Sequence, residues 1–255
     1  MGKIIAIGGG EIGRPKDNGY GFYPVETTAI DKEILLLTNK RSPTLLFLPT
    51  ASYDSVSYYE VVKKHFMKIG FSAVDALYLS DKNLTKAQIR NSILSHDAID
   101  VGGGDTSHMM VVWKNLGLDM VLNEALASNI VLSGLSAGSI CWFNSGISDS
   151  SKLKGSGEKF VEVSGLGYID ALHCPHYDLE LLKQTDLKRI LKTTSKVAIA
   201  LDNCSALEVV DNKYRVITSR RTAKARKIYW QRNEYITEEV TAETTYKDLQ
   251  QLLKK

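Results

Sequence analysis

Cysteine and proline are scarce in this chain, with three of the first and five of the second in 255 residues. Cys141, Cys174 and Cys204 are odd in number and far apart. That excludes a disulfide framework and suits a cytosolic setting. A surplus of either charge is missing too: 32 basic against 29 acidic residues leaves only +3. So small a balance gives no argument for a nucleic-acid partner. The one basic cluster, residues 220–227, runs into Ile228-Tyr229-Trp230 and reads as a solvated hairpin. No apolar run approaches the about 20 residues needed to cross a bilayer, so no membrane partner is expected. The opening MGKIIAIGGG reads as a first strand, without a signal-peptide core or cleavage site. Repeats, linkers and low-complexity tracts are also absent, so residues 1–255 are expected to form one large domain.

What is present is an alternation of strand and helix signals. Strands are predicted over 3–7, 44–48, 73–79, 98–101 and 129–132, and helices over 26–37, 55–69, 85–94, 106–115 and 119–127. This is the rhythm of βαβ units around a mostly parallel sheet covered on both faces. The last third differs. Short strands over 197–201, 206–210, 214–218, 227–230 and 234–240 suggest antiparallel hairpins closing one edge, before a helix over 244–253. In an open α/β sheet, ligands bind outside the carboxyl ends of the strands. The loops Gly8-Gly9-Gly10, Pro49-Thr50-Ala51-Ser52 and Gly102-Gly103-Gly104-Asp105 all follow strands and should gather there.

The most informative segment is NIVLSGLSAGSICWFNSG, residues 129–146. A short apolar strand runs into Gly134-Leu135-Ser136-Ala137-Gly138, a G-x-S-x-G pattern, with a helix expected over 139–143. Such a turn projects its central serine above the sheet at a helix N-terminus, where developing negative charge is favoured. Ser136 is therefore the candidate nucleophile. An oxyanion hole needs two N–H donors, and Ala137 with Gly103 or Gly104 could supply them. Gly8-Gly9-Gly10-Glu11-Ile12-Gly13 formally fits a dinucleotide fingerprint, but Pro15, Gly19, Gly21 and Pro24 break the chain where a helix should open.

A serine nucleophile needs a base. Of five histidines, His65 and His96 read as surface residues and His108 as a weak candidate beside the glycine loop. In His173-Cys174-Pro175-His176, His173 falls within a strand, as a core residue would, whereas His176 lies beyond its end. A metal site there is disfavoured by Pro175 and the lack of a partner cluster. His176 is the candidate base. Its orienting carboxylate is expected at Asp149, with Glu158, Glu162 and Asp178 as competitors that spacing alone does not separate.

These residues resemble the S51 serine peptidases, the family of dipeptidase E (an aspartyl dipeptidase) and, more distantly, cyanophycinase. The matching stations run in order through most of the chain: Ile7-Gly8-Gly9-Gly10, Leu46-Phe47-Leu48-Pro49-Thr50-Ala51, residues 101–106, the Ser136 turn and Pro175-His176-Tyr177. The Firmicute-type branch is the most similar. The resemblance implies a doubly wound, flavodoxin-like fold similar to class I glutamine amidotransferases. It also implies Ser136 as nucleophile, His176 as base, and Gly103 or Gly104 with Ala137 as oxyanion hole. Asp149 takes the third position.

Dipeptidase E typically has asparagine where this chain has Asp105, and places an arginine after the histidine to hold an aspartate carboxylate. Arg189 is the nearest match here, with Lys188 second, so Asp105 and Arg189 are the expected substrate contacts. The reading is a cytosolic serine peptidase for short peptides, possessing no metal or cofactor and acting as monomer or homodimer. The alternatives are an esterase, an amidase or a cyanophycinase-like hydrolase on the same triad, or a non-catalytic protein whose glycine loops hold a small anion.

Overall fold

The computed structural model describes residues 2–153, 155, 160–179 and 181–255. Apolar runs bounded by glycine and polar turns become the strands, and segments with helical spacing of apolar residues become the helices. In chain order the first elements are β1 (Lys3–Ile7), α1 (Thr28–Thr38), β2 (Thr44–Leu48), α2 (Val56–Ile69), β3 (Ala73–Ala76), α3 (Lys86–Leu94) and β4 (Ala98–Val101). Then come α4 (Thr106–Leu116), α5 (Leu118–Ala127), β5 (Val131–Leu135), α6 (Ala137–Ile140), β6 (Phe143–Ser148), α7 (Ser150–Leu153) and β7 (Val161–Ser164). The chain continues through β8 (Ile169–Cys174), α8 (Leu181–Lys192), β9 (Ala198–Leu201), β10 (Ser205–Val210) and β11 (Lys213–Thr218). It closes with β12 (Ala225–Gln231), β13 (Glu234–Val240), β14 (Lys247–Asp248) and α9 (Leu249–Leu253).

Two sheets result. The larger has strand order β14-β11-β10-β1-β5-β4-β2-β3. Its five central and distal strands, β1, β5, β4, β2 and β3, are parallel, and β10, β11 and β14 add an antiparallel edge. This is the expected mostly parallel α/β sheet with antiparallel strands from the C-terminal third. The second sheet, β13-β12-β9-β8-β6-β7, was not expected as a separate layer. The helix predicted over 139–143 lasts only one turn. Trp142 and Phe143 are then fully buried, and Asn144-Ser145-Gly146, poor helix formers, continue as β6 beside β8. The expected edge hairpins therefore divide, with β10 and β11 joining the first sheet while β9, β12 and β13 join the second.

One apolar cluster fills the space between the layers, running from Ile4, Ile99 and Leu132 through Trp113, Trp142 and Phe143 to Ile199 and Tyr229. On the other face of the main sheet, Ile30 and Ile34 of α1 and Val62 and Phe66 of α2 cover Ile5, Leu45 and Val131. Leu187 and Leu191 of α8 cover the outer face of the second sheet at Leu172 and Ile228. His65, expected at the surface, is buried on α2 with its Nε2 2.6 Å from Asp31 Oδ2. In the basic segment that leads into β12, Arg220 pairs with Glu26, Lys224 with Glu239 at 2.6 Å and Arg226, already in β12, with Asp202 at 2.6 Å. Among the described residues no helix is long and apolar enough to cross a membrane.

The strand-end loops converge as the topology requires. Ser136 N–H donates to Ile7 O (3.1 Å), Gly102 N–H to Leu48 O (3.2 Å), Asp105 N–H to Ala51 O (2.8 Å) and His176 N–H to Gly8 O (3.0 Å). Behind them, Asp100 of β4 is buried and accepts from Ser133 Oγ at 2.7 Å. Burial pushes its carboxyl from 3.8 up to about 7. An acid whose pKa is raised by folding costs stability progressively as pH climbs from its unfolded to its folded value. Asp100→Asn is therefore expected to melt higher than the parent, with a gap that grows between about pH 4 and 7 and is flat above. A constant gap, or a lower melting temperature at pH 8, would contradict this.

Candidate active site

Ser136 stands between β5 and α6 with φ 58° and ψ −114°. A non-glycine residue in that region stores roughly 1–3 kcal/mol of strain, which the surrounding structure must hold. Two close approaches hold it. A Cβ on Gly134 would lie 2.1 Å from Gly138 O, and one on Gly138 would lie 2.0 Å from Val101 O. Only glycine lets the one-turn helix pack this tightly over β4 and β5. Ser136 O accepts from Ser139 N (2.9 Å) and Ile140 N (3.1 Å), closing the turn. The Ala137 N–H, at the first position of α6, has no acceptor within the helix.

His173 ties this turn to the second sheet. Its Nδ1 lies 2.9 Å from Ile199 O, a pure acceptor, so Nδ1 carries the hydrogen and Nε2 faces Ser139 Oγ at 2.8 Å as an acceptor. Burial drives the His173 pKa down to about 3, so the ring is neutral at ordinary pH. His173 is the core residue its strand position implied. The rings of His173 and His176 face different partners and do not converge on a common point.

His176 follows β8 with φ 53°. Its Nε2 is 2.8 Å from Ser136 Oγ and its Nδ1 is 2.6 Å from Asn203 Oδ1. A carboxamide oxygen accepts only, so Nδ1 is protonated and the Nε2 lone pair faces the serine hydroxyl. Burial lowers the His176 pKa, helped by the nearby Lys183, while Asn203, Asp178 and Asp149 act in the opposite direction. The imidazole is accordingly neutral near pH 7, the form a base requires.

The group on Nδ1 is thus Asn203, in the turn between β9 and β10, and not Asp149. Asp149 lines the cavity over Ser136 instead. Of its competitors, Asp178 accepts from Asn203 N–H at 2.9 Å, and Glu162 accepts from Lys196 Nζ at 2.8 Å on the edge strand β7. Glu158 lies outside the described residues. In the glycine loop, Gly103 N–H donates to Tyr58 Oη at 3.3 Å, while Gly104 lines the cavity.

The expected substrate contacts are placed differently. Asp105 is buried, with Oδ1 accepting from His108 N–H and Oδ2 from the Tyr53 hydroxyl, each at 3.1 Å. It is the N-cap of α4 and does not line the cavity over Ser136. Arg189 lies largely exposed on α8, with Nε 3.1 Å from Asp186 Oδ1, and the Lys188 ammonium lies 5.2 Å from the Tyr235 ring. Neither lines the cavity. Lys183, five residues before Lys188 on the same helix, does. It is 4% exposed, its Nζ donates to Pro175 O at 3.2 Å and lies 4.8 Å from the Phe160 ring centroid. The cavity measures about 240 Å³ and is walled by Ser136, His176, Gly104, Asp149 and Lys183. Lys183 and Asn203 carried no sequence signal of their own, since a lysine on a polar helix and an asparagine in a turn are both ordinary.

Residues 22–217 match the model of Peptidase family S51. The chain belongs to that family. It is 31% identical over 238 residues to the uncharacterized peptidase YgaJ of Bacillus subtilis (strain 168), covering 92% of this chain and 95% of that one. It is 27% identical over 191 residues to the uncharacterized peptidase Lin0382 of Listeria innocua serovar 6a, covering 73% and 89%. A crystal structure of a peptidase from an acI-B1 Actinobacterium superposes with a TM-score of 0.70 at 18% identity over 97% of each chain, a likeness of fold. Family S51 membership places the chain among peptidases and matches the resemblance read from its motifs.

For Asp105 the capping geometry makes a distinct prediction. Asp105→Ala should cost about 1 kcal/mol of stability, and Asp105→Asn much less, because asparagine caps nearly as well. Thermal or urea unfolding of the two variants measures this, and equal losses would contradict the capping assignment.

Proposed function

We propose that this chain is a serine peptidase that cleaves short peptides carrying a carboxylate beside the scissile bond. The observation that carries the reading is the 2.8 Å contact between Ser136 Oγ and His176 Nε2, made by a serine held on a strained turn. An isolated serine hydroxyl is a weak nucleophile and becomes effective when an adjacent base takes its proton. His176 is neutral, aimed and within reach. Ser136 Oγ attacks the peptide carbonyl carbon as its proton passes to Nε2, forming a tetrahedral intermediate. The developing oxyanion lies against the N–H groups of Ala137 and Gly104. Gly103 is the weaker donor candidate, because its N–H is already given to Tyr58. The C–N bond then breaks as Nε2–H protonates the leaving amine, and water repeats the cycle on the acyl-enzyme.

The substrate class follows from Lys183. No carboxylate among the described residues contacts this buried ammonium, and a buried cation lacking a counter-ion is costly. A substrate carboxylate entering the cavity would supply it. Lys183 thereby takes the part expected of Arg189, and a cavity of about 240 Å³ suits a small peptide rather than a folded protein.

Two outcomes follow. Lys183→Met should raise KM for Asp-X dipeptides roughly tenfold or more, the scale of a charge-assisted hydrogen bond, while neutral dipeptides change little. An unchanged ratio between the two substrates would overturn the carboxylate assignment. Because burial lowers the His176 pKa, and the base works only when neutral, kcat/KM should stay on its plateau to below about pH 6.5 on the acid side. An acid limb centred above that value would contradict the burial argument.

A further inference from the structure

The sequence pattern asks for a carboxylate behind the base, and the structure puts an amide there. We infer that Asn203 is the residue that orients His176, and that the compensating negative charge has been moved one step away, to Asp178. This rests on Ser136–His176 being the reacting pair.

The geometry is specific. Asn203 Oδ1 is 2.6 Å from His176 Nδ1 on the side opposite Ser136. The turn that presents it is fixed from several directions. Asn203 N–H donates to Asp178 Oδ1 (2.9 Å), Cys204 N–H to Gly9 O (2.9 Å) and Ser205 Oγ to Asp202 O (2.9 Å), while the Asp202 carboxylate takes Lys224 N–H (3.0 Å) and Arg226 (2.6 Å). Space is reserved for the pair as well. A Cβ on Gly9 would come within 2.2 Å of Asn203 Oδ1 and 2.3 Å of His176 Nδ1. The first glycine loop, which fails as a nucleotide site, thus makes room for the base and its partner.

An amide oxygen and a carboxylate do the same positional work and different electrostatic work. Both accept Nδ1–H and so select the tautomer whose Nε2 can take a proton. Only the carboxylate sits in direct contact with the positive charge that appears on the ring during the reaction. Here that charge is opposed at a distance by Asp178 and by Asp149 across the cavity. Lys183 of α8 disfavours it, and His173 on β8 is neutral. Asp178 is exposed, so solvent and salt screen its charge. Asn203 therefore acts as a positioning residue that leaves His176 readily deprotonated.

Phosphonylation by a fluorophosphonate tests this with no knowledge of the substrate. The Ser136 Oγ–P bond forms, the P–F bond breaks, and the serine proton leaves through His176 Nε2 with fluoride. We would measure the labelling rate from pH 4.5 to 9 for the parent, Asn203→Ala and Asn203→Asp, with thermal melting to establish that each is folded. Asn203→Ala should label about 10²-fold more slowly, having lost the aligned base. Asn203→Asp should keep the plateau rate, with its acid limb moved up by about one pH unit, because a contacting carboxylate favours the protonated ring. Asp178→Asn should move the limb slightly the other way. Equal rates in the parent and Asn203→Ala, or an acid limb that stays fixed in a folded Asn203→Asp, would overturn the inference and leave the nucleophile reading standing. Absence of label on Ser136 in the parent would overturn both.

Discussion

The hydrogen bond from Ser136 Oγ to His176 Nε2 crosses the seam between the two sheets, and much of the fold serves to keep it short. The serine comes from the first sheet, on a turn that only glycine neighbours allow to pack. The histidine comes from the second sheet, past the end of β8, and is tied back by its own N–H to Gly8 O at the end of β1. The buried Ser139–His173 contact is a second stitch across the same seam, three residues along from each partner. A relative shift of the sheets by about an ångström would break the Ser136–His176 contact, and in the proposed mechanism that is the order of misplacement that costs an enzyme dearly. The aromatic packing of Trp113, Trp142 and Phe143 between the layers resists that shift.

Several parts of this arrangement are legible in the sequence because they are local. The Ser136 turn is written in five consecutive residues, and the strand-end glycines are of the same kind. His176 is legible too, as a histidine just beyond an extended segment. What cannot be read locally depends on which distant turn arrives behind the imidazole. Asn203 lies 27 positions from its histidine and resembles any turn asparagine. An expectation of a carboxylate directs attention to Asp149, which faces the reaction from the cavity side. Lys183 is hidden in a comparable way: its helix was not anticipated, and only packing under Phe160 and Pro175 distinguishes it from the solvated lysines around it.

The second sheet was missed for a related reason. Short strands after residue 197 carry turn signals that fit hairpins on an existing edge, and nothing in their composition says which edge. The deciding feature is the early end of α6, after which buried Trp142 and Phe143 and the small residues of β6 start a new layer. That layer is what delivers His176, the proposed base. A reading that stopped at one sheet would place Ser136 well and leave His176 without a rigid support.

Histidine ring-nitrogen NMR on protein labelled with ¹⁵N at histidine tests the central claim most directly. At pH 7 His176 should be neutral with its hydrogen on Nδ1, held by Asn203, and its Nε2 should show an acceptor's shift that moves in Ser136→Ala. Because burial lowers its pKa, it should become cationic only below the ordinary histidine value of about 6.5. A ring with its hydrogen on Nε2, or one already cationic at pH 7, would mean that His176 is not poised to take the Ser136 proton, and the account of this site would fail.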